Sequence, residues 1–342
     1  MRRILAMAAF AAMAVAQEQP VFRAETSLAL VRFHVVRNNR YVDDLKPADI
    51  LPLENGAAQK VALFEGGTTA PRTVPVDVIL LFDTSGSVMQ AGLLDSLVFQ
   101  ENLLDGLSHA RLAVYTFARQ LRRYTRPTSD PAELKRAFDG ATLGKGRVET
   151  IKLDFSKRGN GGGTLLYEAM AQTVRDIAGS PTNATRLLLV FSDGFPTSNT
   201  KPETAVEAAR ESGIPVYPVV LGHARLVERA AQQRAPDFNR RGALNPRAQE
   251  RLARIQEREA TILDFADAGE KTGGRSFDPP VFNAQVVRQI LQAMVGHIQA
   301  EYVAGYYPSQ SGAQGKPRKV EVKLRSAALG KVRGGVRTLR LP

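Results

Sequence analysis

The chain has no cysteine in its 342 residues. Disulfide staples, thiolate-bound zinc and thiol nucleophiles are therefore excluded. Histidine is scarce too. His34, His109, His223 and His297 are scattered, with no H-E-x-x-H or comparable pair, so each reads as a surface or packing residue. Beyond the first sixteen residues, no apolar run approaches the roughly 20 needed to span a bilayer. Phosphate-cradling signatures are missing as well. Gly140-Ala-Thr-Leu-Gly-Lys-Gly146 and Gly159-Asn-Gly-Gly-Gly-Thr164 both fail the G-x-x-x-x-G-K-[ST] pattern, and there is no G-x-S-x-G nucleophile elbow.

What is present suits a globular core, since hydrophobic residues make up 44% of the sequence. The formal charge is +12, unevenly placed. Residues 225–258 carry nine arginines against four acids, and residues 316–340 carry nine lysines or arginines against Glu321 alone. Basic patches of this kind attract polyanions. No nucleic-acid-binding module accompanies them, so no specific nucleic-acid partner is expected. Met1 to Ala16 has a basic head, a short apolar middle and an Ala14-Val-Ala16 end. That is the pattern of a secretory signal peptide cut after Ala16, and it predicts a secreted, periplasmic or cell-surface protein.

Residues 76–87 organise the chain. The apolar run Val78 to Phe82 reads as a buried parallel strand, and Asp83, Ser85 and Ser87 follow at alternate positions where that strand ends. In open α/β sheets this is where ligands bind, and oxygen-bearing side chains there suit a hard cation. Alone, D-x-S-x-S has the composition of a turn or helix cap. Two later stretches share its character. The glycines 159–163 lead into Thr164 and a helical pattern with Leu165, Leu166, Ala169, Met170 and Val174 on one face. Leu187 to Ser192 is a second apolar strand, ending in Asp193-Gly194.

The remaining pattern alternates strands with helices: a strand at 111–117, a short edge strand at 121–125, a helix capped by Asp130, a helix after Lys201-Pro202 and a strand over 214–221. Such alternation predicts a doubly wound, mostly parallel α/β sheet of Rossmann type. A long amphipathic helix runs from Asn245-Pro246 with Ala248, Leu252, Ile255, Ile262 and Ala266 on one stripe, and Asn283 caps the last helix. Before the sheet, Val31, Phe33 and Val35 alternate with polar residues, and Asn38-Asn39 and Asn55-Gly56 signal turns. That N-terminal β unit is too short to bury much alone. It is expected to recruit the tail, where Val320, Val322 and Leu324 alternate with charged residues.

Asp83, Ser85, Ser87, then Thr164, then Asp193 is similar in order and spacing to the metal-ion-dependent adhesion site of von Willebrand factor type A (VWA) domains. The resemblance covers about residues 74–308. More narrowly, the layout resembles secreted bacterial "VWFA-related domain" proteins, where a β segment ending like Glu54-Asn-Gly…Gln59-Lys-Val-Ala-Leu-Phe64 precedes the A domain. It implies a signal peptide at 1–16, an N-terminal β segment at 17–73, a VWA domain at 74–308 with a basic insertion at about 223–260, and a basic β tail at 309–342. It also implies that Ser85, Ser87 and Thr164 hold Mg²⁺ (or Mn²⁺ or Ca²⁺) directly, while Asp83 and Asp193 act mainly through water. The family's function is to capture an Asp or Glu of a partner protein, with no catalysis.

Two other readings stay open on the residues alone. The cation could be a permanent structural ion, with binding done by the basic insertion or tail. An open cation site could also activate water for hydrolysis. That chemistry needs a general base, and the nearest candidate, Glu168, sits mid-helix where a glutamate usually faces solvent.

Overall fold

The computed structural model describes residues 28–38, 40–67, 75–90, 110–143, 148–153, 164–180, 184–224, 227–228, 246–281, 283–308 and 317–339. The signal segment, the glycines 159–163, half of the basic insertion at 223–260, and residues 91–109, where the spacing of Leu93, Leu94, Leu97, Val98 and Leu104 predicts a helix, lie outside them.

In chain order, strands β1 (Ala29–Arg37), β2 (Arg40–Tyr41), β3 (Ile50–Glu54), β4 (Ala57–Ala58) and β5 (Leu63–Glu65) come first. Then follow β6 (Val76–Asp83), α1 (Gly86–Gln90), β7 (Ala110–Phe117), β8 (Leu121–Thr128), α2 (Pro131–Leu143) and β9 (Glu149–Ile151). The next elements are α3 (Leu166–Ala178), β10 (Thr185–Ser192), α4 (Pro202–Ser212), β11 (Val216–Val220), α5 (Pro246–Thr272) and α6 (Ala284–Gln299). The chain closes with β12 (Tyr302–Tyr306), β13 (Arg318–Leu324), β14 (Lys331–Gly334) and β15 (Val336–Leu339).

The central sheet runs β11-β10-β6-β7-β8-β9. Strands β11, β10, β6 and β7 are parallel, and β8 and β9 are antiparallel to their neighbours. The fold is thus the expected doubly wound α/β sheet. Strand β6 is buried along almost its whole length because its two faces alternate into two helical layers. Ile79 and Leu81 meet α3, α4 and the C-terminal half of α5, including Phe265 and Ala268. Val78, Leu80 and Phe82 meet α1, α2 and α6. Fully burying one such side chain contributes about 1.5–3 kcal/mol, so both faces of β6 anchor the sheet. Asp130 accepts from the Ala132 N–H at the start of α2, and Asn283 accepts from Val286 N–H at the start of α6, caps of the expected kind. One strand differs from expectation. β8 extends to Thr128 and is not an edge, because β9 pairs outside it through Leu121↔Ile151.

The terminal segments form two further sheets around a third core of Val31, Phe33, Val35, Ile50, Tyr302 and Val320, among others. β13 pairs antiparallel with β3, so the tail does lie beside the N-terminal strands. Asn55 (φ 48°) and Gly56 (φ 85°) make the two-residue turn between β3 and β4, the backbone such a tight hairpin requires. β12, directly after α6, pairs with β1 and β5 and ties this β unit to the α/β sheet.

Candidate functional site

Strand order reverses between β6 and β10: β6 leads on to β7 on one side, while β10 leads to β11 on the other. The crevice beyond the carboxyl ends of two such strands is the usual ligand site of an open α/β sheet. Asp83 is the last residue of β6, and Asp193 is the first residue past β10. Four of the five residues singled out in the sequence, Asp83, Ser85, Ser87 and Asp193, meet there.

Ser85 donates its N–H to Asp83 Oδ1 over 2.8 Å, which curls the chain from β6 into α1. The Ser85 and Ser87 hydroxyls lie 3.2 Å apart, and Ser87 Oγ donates to Asp193 Oδ2 over 2.6 Å. Asp83, Ser85 and Asp193 are all buried. Four of the five expected residues thus form one connected oxygen cluster. Thr164, also buried, is fixed through its main chain. Its N–H donates to Thr197 Oγ1 (2.7 Å), and its carbonyl accepts from Thr197 N–H (2.9 Å). Thr197 lies on the loop that leaves Asp193, so one loop positions both residues.

Two supporting residues, Ser192 and Thr197, were not legible in the sequence, and a third, Glu168, sits differently from expectation. Ser192 donates its hydroxyl to Asp83 Oδ2 over 2.6 Å and accepts from Gly194 N–H. Thr197 clasps Thr164. Glu168 is half-buried rather than solvent-facing, because its carboxylate accepts from the Ser198 and Thr200 hydroxyls. The signal for Thr197 was the run of hydroxyl residues after Asp193, which reads equally well as a loop.

Burial pushes the Asp83 carboxyl up to about 6, although its bonds from Ser192 and Ser85 pull the other way. Burial also raises Asp193, against the pull of the Ser87 hydroxyl, the Phe195 N–H and the Arg258 charge. Among the described residues no lysine or arginine forms an ion pair with either carboxylate. Two desolvated carboxylates outside any ion pair of the described residues are costly. The donor set, hydroxyl and carboxylate oxygens only, fits a hard cation such as Mg²⁺. Among the described residues there is no group of three His, Cys, Asp or Glu that could hold a metal, so a site built from these residues depends on the hydroxyls.

The family model of the von Willebrand factor type A domain matches residues 77–235, a span that contains all five of these residues. The chain carries a von Willebrand factor type A domain. Domains of this family commonly mediate protein interaction and adhesion and are typically binding modules rather than enzymes. No curated protein matches the chain. Among solved structures, proximal thread matrix protein 1 of the mussel byssus is 13% identical, with a TM-score of 0.40, over 68% of this chain and 48% of its own. The chain therefore spans about half of that protein's length. BatB from Bacteroides thetaiotaomicron is 17% identical, with a TM-score of 0.36, over 64% of this chain and 98% of its own. The pilus adhesin SpaC from Lactobacillus rhamnosus GG is 11% identical, with a TM-score of 0.41, over 90% of this chain and 49% of its own. No described helix is long and apolar enough to cross a membrane.

Proposed function

We propose that this VWA protein is an exported binding module that captures an acidic residue of a partner protein at a divalent-cation site formed by Asp83, Ser85, Ser87, Thr164 and Asp193. The observation that carries this reading is the pair of buried carboxylates at the ends of adjacent strands, linked by hydroxyls and, among the described residues, in no ion pair with a lysine or arginine. A cation bound there supplies a positive charge that hydroxyl ligands leave largely uncancelled, and so an attraction for a carboxylate from outside. The protein's own residues do the rest. Ser192 and the Ser85 N–H fix the Asp83 carboxylate, Ser87 fixes Asp193, and Thr197 sets the height of Thr164. Binding without catalysis is supported by Glu168, whose two carboxylate oxygens are engaged in holding the 198–200 loop. Export rests on the Met1–Ala16 pattern in the sequence.

Calorimetric titration of Mg²⁺ and Mn²⁺ into wild type and the Ser85→Ala/Ser87→Ala double variant tests the site. Stoichiometric uptake by wild type alone is the expected result. Equal uptake by both, or none by wild type even with an acidic peptide present, would overturn the assignment.

A further inference from the structure

Arg258 stands one turn beyond the part of α5 that packs on the sheet. Ile262 and Phe265, on the same face at i+4 and i+7, are buried in the core. They press on the turn after Asp193, where Gly194 adopts φ +77° and a Cβ would meet Ile262 Cα at 3.4 Å and Phe265 Cδ1 at 3.4 Å. The helix therefore crosses directly over Asp193-Gly194-Phe195. Arg258 is exposed, yet it is not loose: its guanidinium carbon lies 5.3 Å from the centre of the Phe195 ring, a cation–π geometry. Phe195 in turn donates its N–H to Asp193 Oδ1 over 3.2 Å. The ring thus places a positive charge on the residue whose N–H binds Asp193, at the edge of the oxygen cluster.

A cation at that position opposes the proposed use of the site if the site only stores a metal, since like charges repel. It makes sense if an anion arrives with the metal. We propose that Arg258 is a second anchor for the partner: the acidic residue captured at the oxygen cluster is accompanied by another acidic side chain within a few residues, which pairs with the Arg258 guanidinium. This rests on the cation-dependent capture proposed above and names the class of partner, a segment with closely spaced acidic residues. Phe195 orients the guanidinium before the partner arrives, so less side-chain freedom is lost on binding.

The test uses the full chain with Mn²⁺ and two fluorescent peptides of glycine and serine, one carrying Asp-Gly-Asp and the other Asp-Gly-Asn. Wild type is expected to bind the first about two- to fivefold more tightly than the second, the size of an exposed ion pair. In Arg258→Gln that ratio should collapse towards one while Mn²⁺ affinity holds or rises, and Arg258→Lys should restore part of it. A structural role predicts the opposite pattern, with Mn²⁺ affinity and both peptides weakened together, and would overturn the proposal. So would a ratio that survives in Arg258→Gln. Failure of the underlying site is distinguishable, because wild type then takes up no Mn²⁺ and binds neither peptide, and both readings fall.

Discussion

Ser192 donates its hydroxyl hydrogen to Asp83 across the β10–β6 strand pair at 2.6 Å. That bond opposes the burial that lifts the Asp83 carboxyl to about 6. Bonds to a charged group contribute about 1.5–3 kcal/mol. Ser192→Ala is therefore expected to lower stability by about 2 kcal/mol in chelator at pH 7, read by urea unfolding. Against an Asp83→Asn background the same change should cost much less, and a double-mutant cycle isolates the difference. Equal costs in both backgrounds would assign the loss to packing.

Asp83→Asn separates stability from function. At pH 7 the carboxylate is ionised in both states, but the folded state holds it against a raised pKa. Removing the charge should stabilise the metal-free protein by roughly 1–3 kcal/mol. The added stability conferred by Mg²⁺ on wild type should vanish in the variant. Melting temperatures with and without Mg²⁺ read both effects at once. A variant that melts lower in chelator would show that the buried charge is better compensated than its surroundings suggest.

Thr197→Val tests whether the loop after Asp193 sets the position of Thr164. The variant keeps the main-chain bond from Thr197 N–H but deprives Thr164 N–H of its acceptor. Groups that orient a metal ligand typically affect metal binding 10- to 100-fold. Mn²⁺ affinity should fall about tenfold by calorimetry, with only a small change in the urea midpoint. Unchanged affinity would mean that the fold alone places Thr164.

The strand ends were legible because chemistry and period coincide there. A strand buried on both faces reads as an unbroken apolar run, and Asp83 and Asp193 stand out at the ends of two of them. Asn55-Gly56 was legible for a similar reason, since few residue pairs accept two successive positive φ angles. Ser192 was not, because a serine closing an apolar strand has no periodic signature and its partner Asp83 belongs to another strand. Arg258 was hidden inside a basic stretch whose net charge draws attention away from any single arginine. Its meaning comes from Phe195, which only the crossing of α5 over β10 brings near. Tyr302–Tyr306 gave no hint of its partners β1 and β5, because pairing between distant segments leaves no local trace.

His297, in the last turn of α6, joins the two parts of the molecule and gives acid sensitivity a specific origin. Its ring meets His34 of β1 with centroids 3.6 Å apart, the Tyr41 hydroxyl of β2 at 3.1 Å from Nδ1, and the Tyr217 ring of β11. Burial, with the His34 and Arg275 charges adding to it and a Gly273 backbone bond opposing, pushes the imidazole down to about 2. In the unfolded chain it titrates near its ordinary value of about 6.5. Between those values the unfolded state binds a proton that the folded state refuses, so this residue's contribution is complete above about 6.5 and is lost as pH falls. The slope is about 1.4 kcal/mol per pH unit. Asp83 works in the opposite direction below about 6, because its folded state binds the proton more readily. Wild type alone would therefore show a muted pH profile, and the informative quantity is the stability difference between wild type and His297→Gln. That difference should shift against wild type by about 1.4 kcal/mol for each unit between pH 6 and pH 4 in urea unfolding. A difference that stays constant over this range would mean that His297 reaches water and titrates in the folded protein.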